Sequence, residues 1–205
     1  MRNTVSALAV MSLAFAGTAS AGIVVTTDDN VWGARNAFAG LMPVSANFAS
    51  IADGFYESGS SWSSGGVTWS ASAPGGLYVN GGKFSTNDPA PLTLSFAGGV
   101  KSVGAYFSAS DFDFKAVAGQ LFEITLDNGT SFTGLTQSLA NPDKAFVGFV
   151  ATGSSLITGF TISVESLSGP AVYPTIESMY FAVPAPGAFM LLGAAALLGV
   201  SGRRR

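Results

Sequence analysis

The chain has 205 residues, nine basic and twelve acidic, with no His and no Cys. The missing His removes the usual general base, the Ser-His triad and nearly every zinc site; the missing Cys removes disulfides and thiol chemistry. All twelve acids lie between positions 22 and 182, where they meet five bases for a net charge of −7, a balance that speaks against nucleic acid and anionic membrane surfaces as partners of that region.

The chain opens on Met1 and Arg2, continues with an apolar run over 5–16, and reaches Ala19, Ser20 and Ala21. One positive charge, an apolar core too short to span a bilayer, and small residues at a cleavage site predict a secretory signal peptide over 1–21. A signal peptidase is expected to read Ala19 and Ala21 and cut before Gly22. No Cys lies near that site, which excludes a lipoprotein anchor.

Residues 30–39 carry helical spacing, with Val31, Ala34, Phe38 and Leu41 on one face, Asp29 as the cap and Gly40 as the stop. From there the chain reads as short strands: 44–49, 67–71, 77–79, 92–96, 103–107, 121–126, 130–133, 145–151, 157–164 and 176–182. The Gly/Ser-rich stretches 53–66 and 73–82 read as loops. Asn128-Gly129 between two β-rich runs signals a tight hairpin, which explains the Asn128-Gly129-Thr130 triplet better than glycosylation does. Short strands separated by turn signals, with one short helix and no crossover helices, predict an all-β fold: a β-sandwich or jelly roll spanning 22–182 as one domain.

Two sets of side chains invite a chemical reading. Tyr56, Trp62, Trp69 and Tyr78 place aromatic rings among Ser, Asn and Gly, where they can stack on sugar faces; core packing explains Trp69 equally well. Asp111 and Asp113 stand two residues apart, at strand spacing, so both carboxylates can face one side and contribute to a Ca2+ site. Ca2+ needs six or more oxygens and two are in view, so a solvated strand end with Phe112 and Phe114 turned inward explains the pair better. Asp28-Asp29-Asn30 likewise reads as a helix cap rather than a metal site. No catalytic residue, cofactor or further metal site is assigned.

The tail begins with Val183, Pro184, Ala185 and Pro186, continues as an uncharged apolar segment over 187–200, and ends on Arg203, Arg204 and Arg205. Fourteen residues make a helix of about 21 Å, short of a hydrocarbon core of about 30 Å. The arginines are expected to stay in the cytoplasm, with the body outside. Pro-x-Pro, a short apolar helix and a terminal Arg cluster together resemble the PEP-CTERM sorting signal of bacterial exported proteins over 183–205, with Ala185 where that motif most often carries Glu. The resemblance implies an exosortase-type membrane enzyme as partner, cleavage near the prolines, and a precursor held in the inner membrane before the body reaches the cell surface or the medium. Exported bodies with such tails often resemble galactose-binding-type jelly rolls, and the strand pattern here is similar. Three functions follow: a non-enzymatic surface or extracellular-matrix protein associated with exopolysaccharide or biofilm; a carbohydrate-binding module using its aromatic side chains; or an exported hydrolase working through carboxylates alone.

Overall fold

A computed structural model describes residues 22–136, 145–167 and 169–183. The expected signal peptide (1–21) and, apart from Val183, the sorting tail lie outside the described residues. In chain order the elements are β1 (Ile23–Thr26), α1 (Asp29–Phe38), β2 (Val44–Ser45), a 3-10 turn (Phe48–Ser50), β3 (Gly54–Tyr56), β4 (Ser60–Ser64), β5 (Val67–Ser72), β6 (Leu77–Asn80), β7 (Lys83–Thr86), β8 (Leu92–Val100), β9 (Ser102–Ser110), β10 (Leu121–Leu126), β11 (Ser131–Leu135), β12 (Ala145–Ala151), β13 (Ile157–Glu165) and β14 (Tyr173–Ala182).

The strands build two antiparallel sheets. One runs β1-β12-β9-β14-β7-β6-β3, with β2 paired to the end of β14; the other runs β11-β10-β13-β8-β5-β4. Alternation explains which faces meet. Val67, Trp69 and Ala71 of β5 are buried while Thr68 is exposed. Phe122, Ile124 and Leu126 do the same in β10. These side chains share one core with Phe84, Phe107, Phe149, Ile176 and Phe181 of the opposite sheet. Rings touch across the layers, Phe96 with Phe181 at 5.7 Å and Phe107 with Phe122 at 6.2 Å between centroids. The mostly-β fold with one helix therefore stands as expected.

The first sheet is also covered on its outer face. Val103, Ala105 and Phe107 of β9 point into the core, whereas Gly104 and Tyr106 point the other way, toward α1. There Trp32 packs on Phe146 and Tyr180, with centroids 5.7 and 6.4 Å away. Gly104 and Gly148 are register partners on β9 and β12. A Cβ at Gly104 would come within 2.9 Å of the Trp32 indole, and one at Gly148 would overlap it. The two glycines thus leave a flat floor on which the helix lands.

Several expectations need correction. The helix turns Trp32 and Asn36 inward, not the face of Val31, Ala34 and Phe38; of that set only Leu41, past the helix end, is buried, and Phe38 is 98% exposed. Asp28, not Asp29, is the N-cap: its Oδ1 accepts the backbone N–H groups of Asn30 and Val31 at 2.9 and 3.1 Å. Residues 44–49 are not one strand but the two-residue β2 followed by the 3-10 turn. The loop expected over 53–66 contains β3 and β4, whereas the strand expected at 77–79, inside the Gly/Ser-rich stretch 73–82, is present as β6. The Asn128-Gly129 hairpin between β10 and β11 is present, with Gly129 at φ 84°.

Candidate ligand-binding cleft

The β6–β7 hairpin, the loop that follows β9 and the start of β14 converge on a cleft of about 320 Å3, the scale of a small-ligand pocket. Its floor is a buried hydroxyl chain. Ser110 Oγ and Thr175 Oγ1 lie 2.7 Å apart, Thr175 Oγ1 is 3.0 Å from Ser85 Oγ, and Ser85 donates to the Pro174 carbonyl at 3.0 Å. Buried hydroxyls satisfied by one another hold strands β7, β9 and β14 in one arrangement and keep the floor rigid.

The rim is aromatic and polar. Tyr78 packs on Phe114 with centroids 5.6 Å apart; Tyr173, Asn80 and Asn87 complete the wall. Phe112 is 82% exposed, and Phe114 is half-buried. The inward packing expected of both phenylalanines holds only in part for Phe114 and not for Phe112.

Asp111 and Asp113 also line this cleft, but not as a strand pair. β9 ends at Ser110, and 111–115 forms a tight loop. Asp111 Oδ1 accepts the N–H groups of Asp113 and Lys115, each at 2.9 Å, while Phe114 N–H donates to the Asp111 carbonyl at 3.1 Å. This wrapped turn carries Phe114 into the left-handed region at φ 61°, a conformation a bulky aromatic adopts only where surroundings enforce it. Lys83 Nζ donates to the Phe114 carbonyl at 3.4 Å and pins the turn from the side. Asp113 pairs with Lys115 at 3.3 Å, both well exposed, a contact of little energetic weight. The first carboxylate serves the turn and the second a lysine. Among the described residues no three His, Cys, Asp or Glu side chains gather as a metal site.

The four aromatic side chains singled out in the sequence separate. Trp69 is fully buried and presents no face to a ligand. Trp62 is half-buried, stacked on Trp69 at 4.8 Å and set edge-on to Phe84 at 5.3 Å. Tyr56 leans on Trp62 at 5.6 Å and donates its hydroxyl to the Ala52 carbonyl at 2.7 Å. These three form an aromatic buttress of the core between β3, β4 and β5. Only Tyr78 reaches the cleft. Tyr173, which lines the same cleft, carried no signal in the sequence, because it stands 95 positions from Tyr78 and arrives through the pairing of β14 with β9 and β7.

Two further features concern the ends of the described chain. Gly22 N–H donates to Thr152 Oγ1 at 3.1 Å, and Thr152 N–H donates to the Gly22 carbonyl at 2.9 Å. Lys101 N–H donates to the Ala182 carbonyl at 2.7 Å, and the Lys101 carbonyl accepts from Ala151 N–H at 2.8 Å. Both chain ends are therefore fastened to neighbouring residues, at the end of the first sheet where β9 begins. The cleft lies where β9 ends. Among the described residues no helix is long and apolar enough to cross a membrane. No family model, curated protein or solved structure matches this chain.

Proposed function

We propose that this chain is an exported bacterial surface or extracellular-matrix protein, non-enzymatic, sorted through its C-terminal tail by an exosortase-type enzyme and associated with exopolysaccharide. We read its two antiparallel sheets as a jelly roll of the galactose-binding type; pairing between strands far apart in sequence, such as β1 with β12, supports this. The observation that carries the functional reading is the placement of the two ends. Gly22 and Ala182 are tied to Thr152 and Lys101 at one end of the body, so a leader and a membrane tail leave from the same side. The cleft lies at the opposite end of β9, nine residues or about 30 Å away. A body tethered in this way holds its cleft toward the exterior.

A polysaccharide is the ligand the cleft favours. Exposed rings beside carboxamides suit the apolar faces and hydroxyls of sugars. The hydrolase alternative fits less well: Asp111 Oδ1 is occupied as an acceptor of two N–H groups and Asp113 is paired with Lys115, whereas glycoside hydrolysis needs one carboxyl free to donate a proton.

The sorting reading is tested by replacing Arg203, Arg204 and Arg205 with Ala in the source bacterium and fractionating the cells. The wild-type body is expected at the surface or in the medium, and the variant is expected to lose that sorted product. Equal distribution of the two contradicts the reading.

A further inference from the structure

At the end of the body where Gly22 and Ala182 are fastened, helix α1 borders a second, larger cleft of about 780 Å3. Val24, Val31, Ala34 and Phe38 contribute apolar walls, and among the described residues Arg35 and Lys101 are its only charged lining. Phe38 is 98% exposed, Met42 just beyond it 78%, and Val31 41%. Val31 and Phe38, seven positions apart, stand on one edge of the helix beside the cleft, and an exposed apolar pair bordering an apolar cleft marks a contact surface. The body as a whole is acidic, yet among the described residues no acid lines this cleft.

The chain ends identify what covers it. Thr152 and Lys101, which hold Gly22 and Ala182, themselves line the cleft. Val183 and the first residue of the apolar tail segment, Gly187, are four positions apart, at most about 14 Å of extended chain. On the reading that the tail segment enters the membrane, this end of the body is held within that distance of the lipid.

We propose that α1 and its cleft form a membrane seat in the tail-bearing precursor: Phe38 and Val31 insert at the phospholipid–water interface while Arg35 extends to the headgroup level. The chemistry is that of a short interfacial helix, with apolar side chains entering the acyl boundary and a long basic side chain lying along it. The net acidity of the body opposes adhesion by charge alone; the seat works because the tether supplies proximity and the local surface is apolar and basic. Docked in this way, the body brings Val183, next to the proline motif in sequence, to the membrane surface, where a membrane-embedded sorting enzyme acts.

The chain has no Cys, so single cysteines carry unique spin labels. The full chain is reconstituted into phosphatidylethanolamine–phosphatidylglycerol vesicles with Ala39→Cys at the seat, Phe112→Cys at the far loop, or Ala195→Cys in the tail. Collisions with oxygen report lipid, and collisions with a water-soluble nickel complex report solvent. The seat predicts lipid exposure at positions 195 and 39, water at 112, and loss of the protection at 39 when Phe38→Ser is added; that side chain is exposed, so the fold is not at risk. Lipid at 195 with position 39 as wet as 112 overturns the seat and leaves the tail reading standing. Water at 195 overturns the tail reading and the seat with it. Protection at 39 from both reagents, or dipolar coupling between two labels at 39, assigns the cleft to the chain's own tail or to a second copy and overturns the seat.

Discussion

At the scale of single residues, two contacts have measurable consequences. Tyr106 donates its hydroxyl to the Asp29 carboxylate, which ties β9 to the first turn of α1. Burial first, and then that hydrogen bond, push its pKa up from 10.0 to about 12. The folded state therefore keeps this proton over a range in which the unfolded chain releases it. The stability that follows is fully present below pH 10.0 and is lost as pH rises through about 12. Chemical denaturation across that window should show the wild type losing stability that Tyr106→Phe does not lose; parallel curves would remove the contact from the account. Trp69 and Tyr78 make a second comparison. Truncating the fully buried Trp69 to Ala should cost about 3–5 kcal/mol in denaturation. Tyr78→Ala, at the cleft, should leave the fold in place and weaken exopolysaccharide binding about tenfold, or ~1.4 kcal/mol. Pull-down unaffected by Tyr78→Ala would reject the cleft as a sugar site.

Helix α1 is the element whose placement governs most of what surrounds it. Its large apolar anchor is Trp32, beside the buried Asn36, and that anchor works only because Gly104 and Gly148 carry no side chain beneath it. Gly148→Val should force the indole off the sheet at a cost of about 1–3 kcal/mol. Hydrogen exchange should then speed up over 29–38 while β8 and β13 stay protected; uniform loss of protection would mean that the helix is integral to the core. The sequence pointed to a helix here but to the wrong face of it. Val31, Ala34 and Phe38 have the right spacing, and so do Trp32 and Asn36; periodicity alone cannot decide between two faces when the choice is made by a glycine floor on distant strands. Strands with strong alternation, such as β5 and β10, were legible for the opposite reason, since their own side chains declare the buried face. Ser60–Ser64 was hidden because its polar residues give no alternation and only Trp62 packs inward, against β5. The cleft was half legible. Asp111, Asp113 and Tyr78 drew notice as residue types, but the turn that spends the Asp111 carboxylate and the strand pairing that delivers Tyr173 are matters of tertiary structure.

Over the whole molecule, the arrangement is polar in the directional sense. One end gathers Gly22 and Ala182, near the two ends of the described residues, with an apolar cleft and the exposed Phe38. The other carries the aromatic cleft with its hydroxyl floor. On the proposed reading, a protein delivered through a membrane, tethered beside it and then released to the surface has use for such an arrangement. Delivery and release are the central claim, and intact mass of the protein recovered from membrane and medium fractions of the source bacterium tests it most directly. The account predicts a product that begins at Gly22 and ends near Pro184; a chain that still carries Met1, or one that reaches the surface with Arg205 in place, would contradict it.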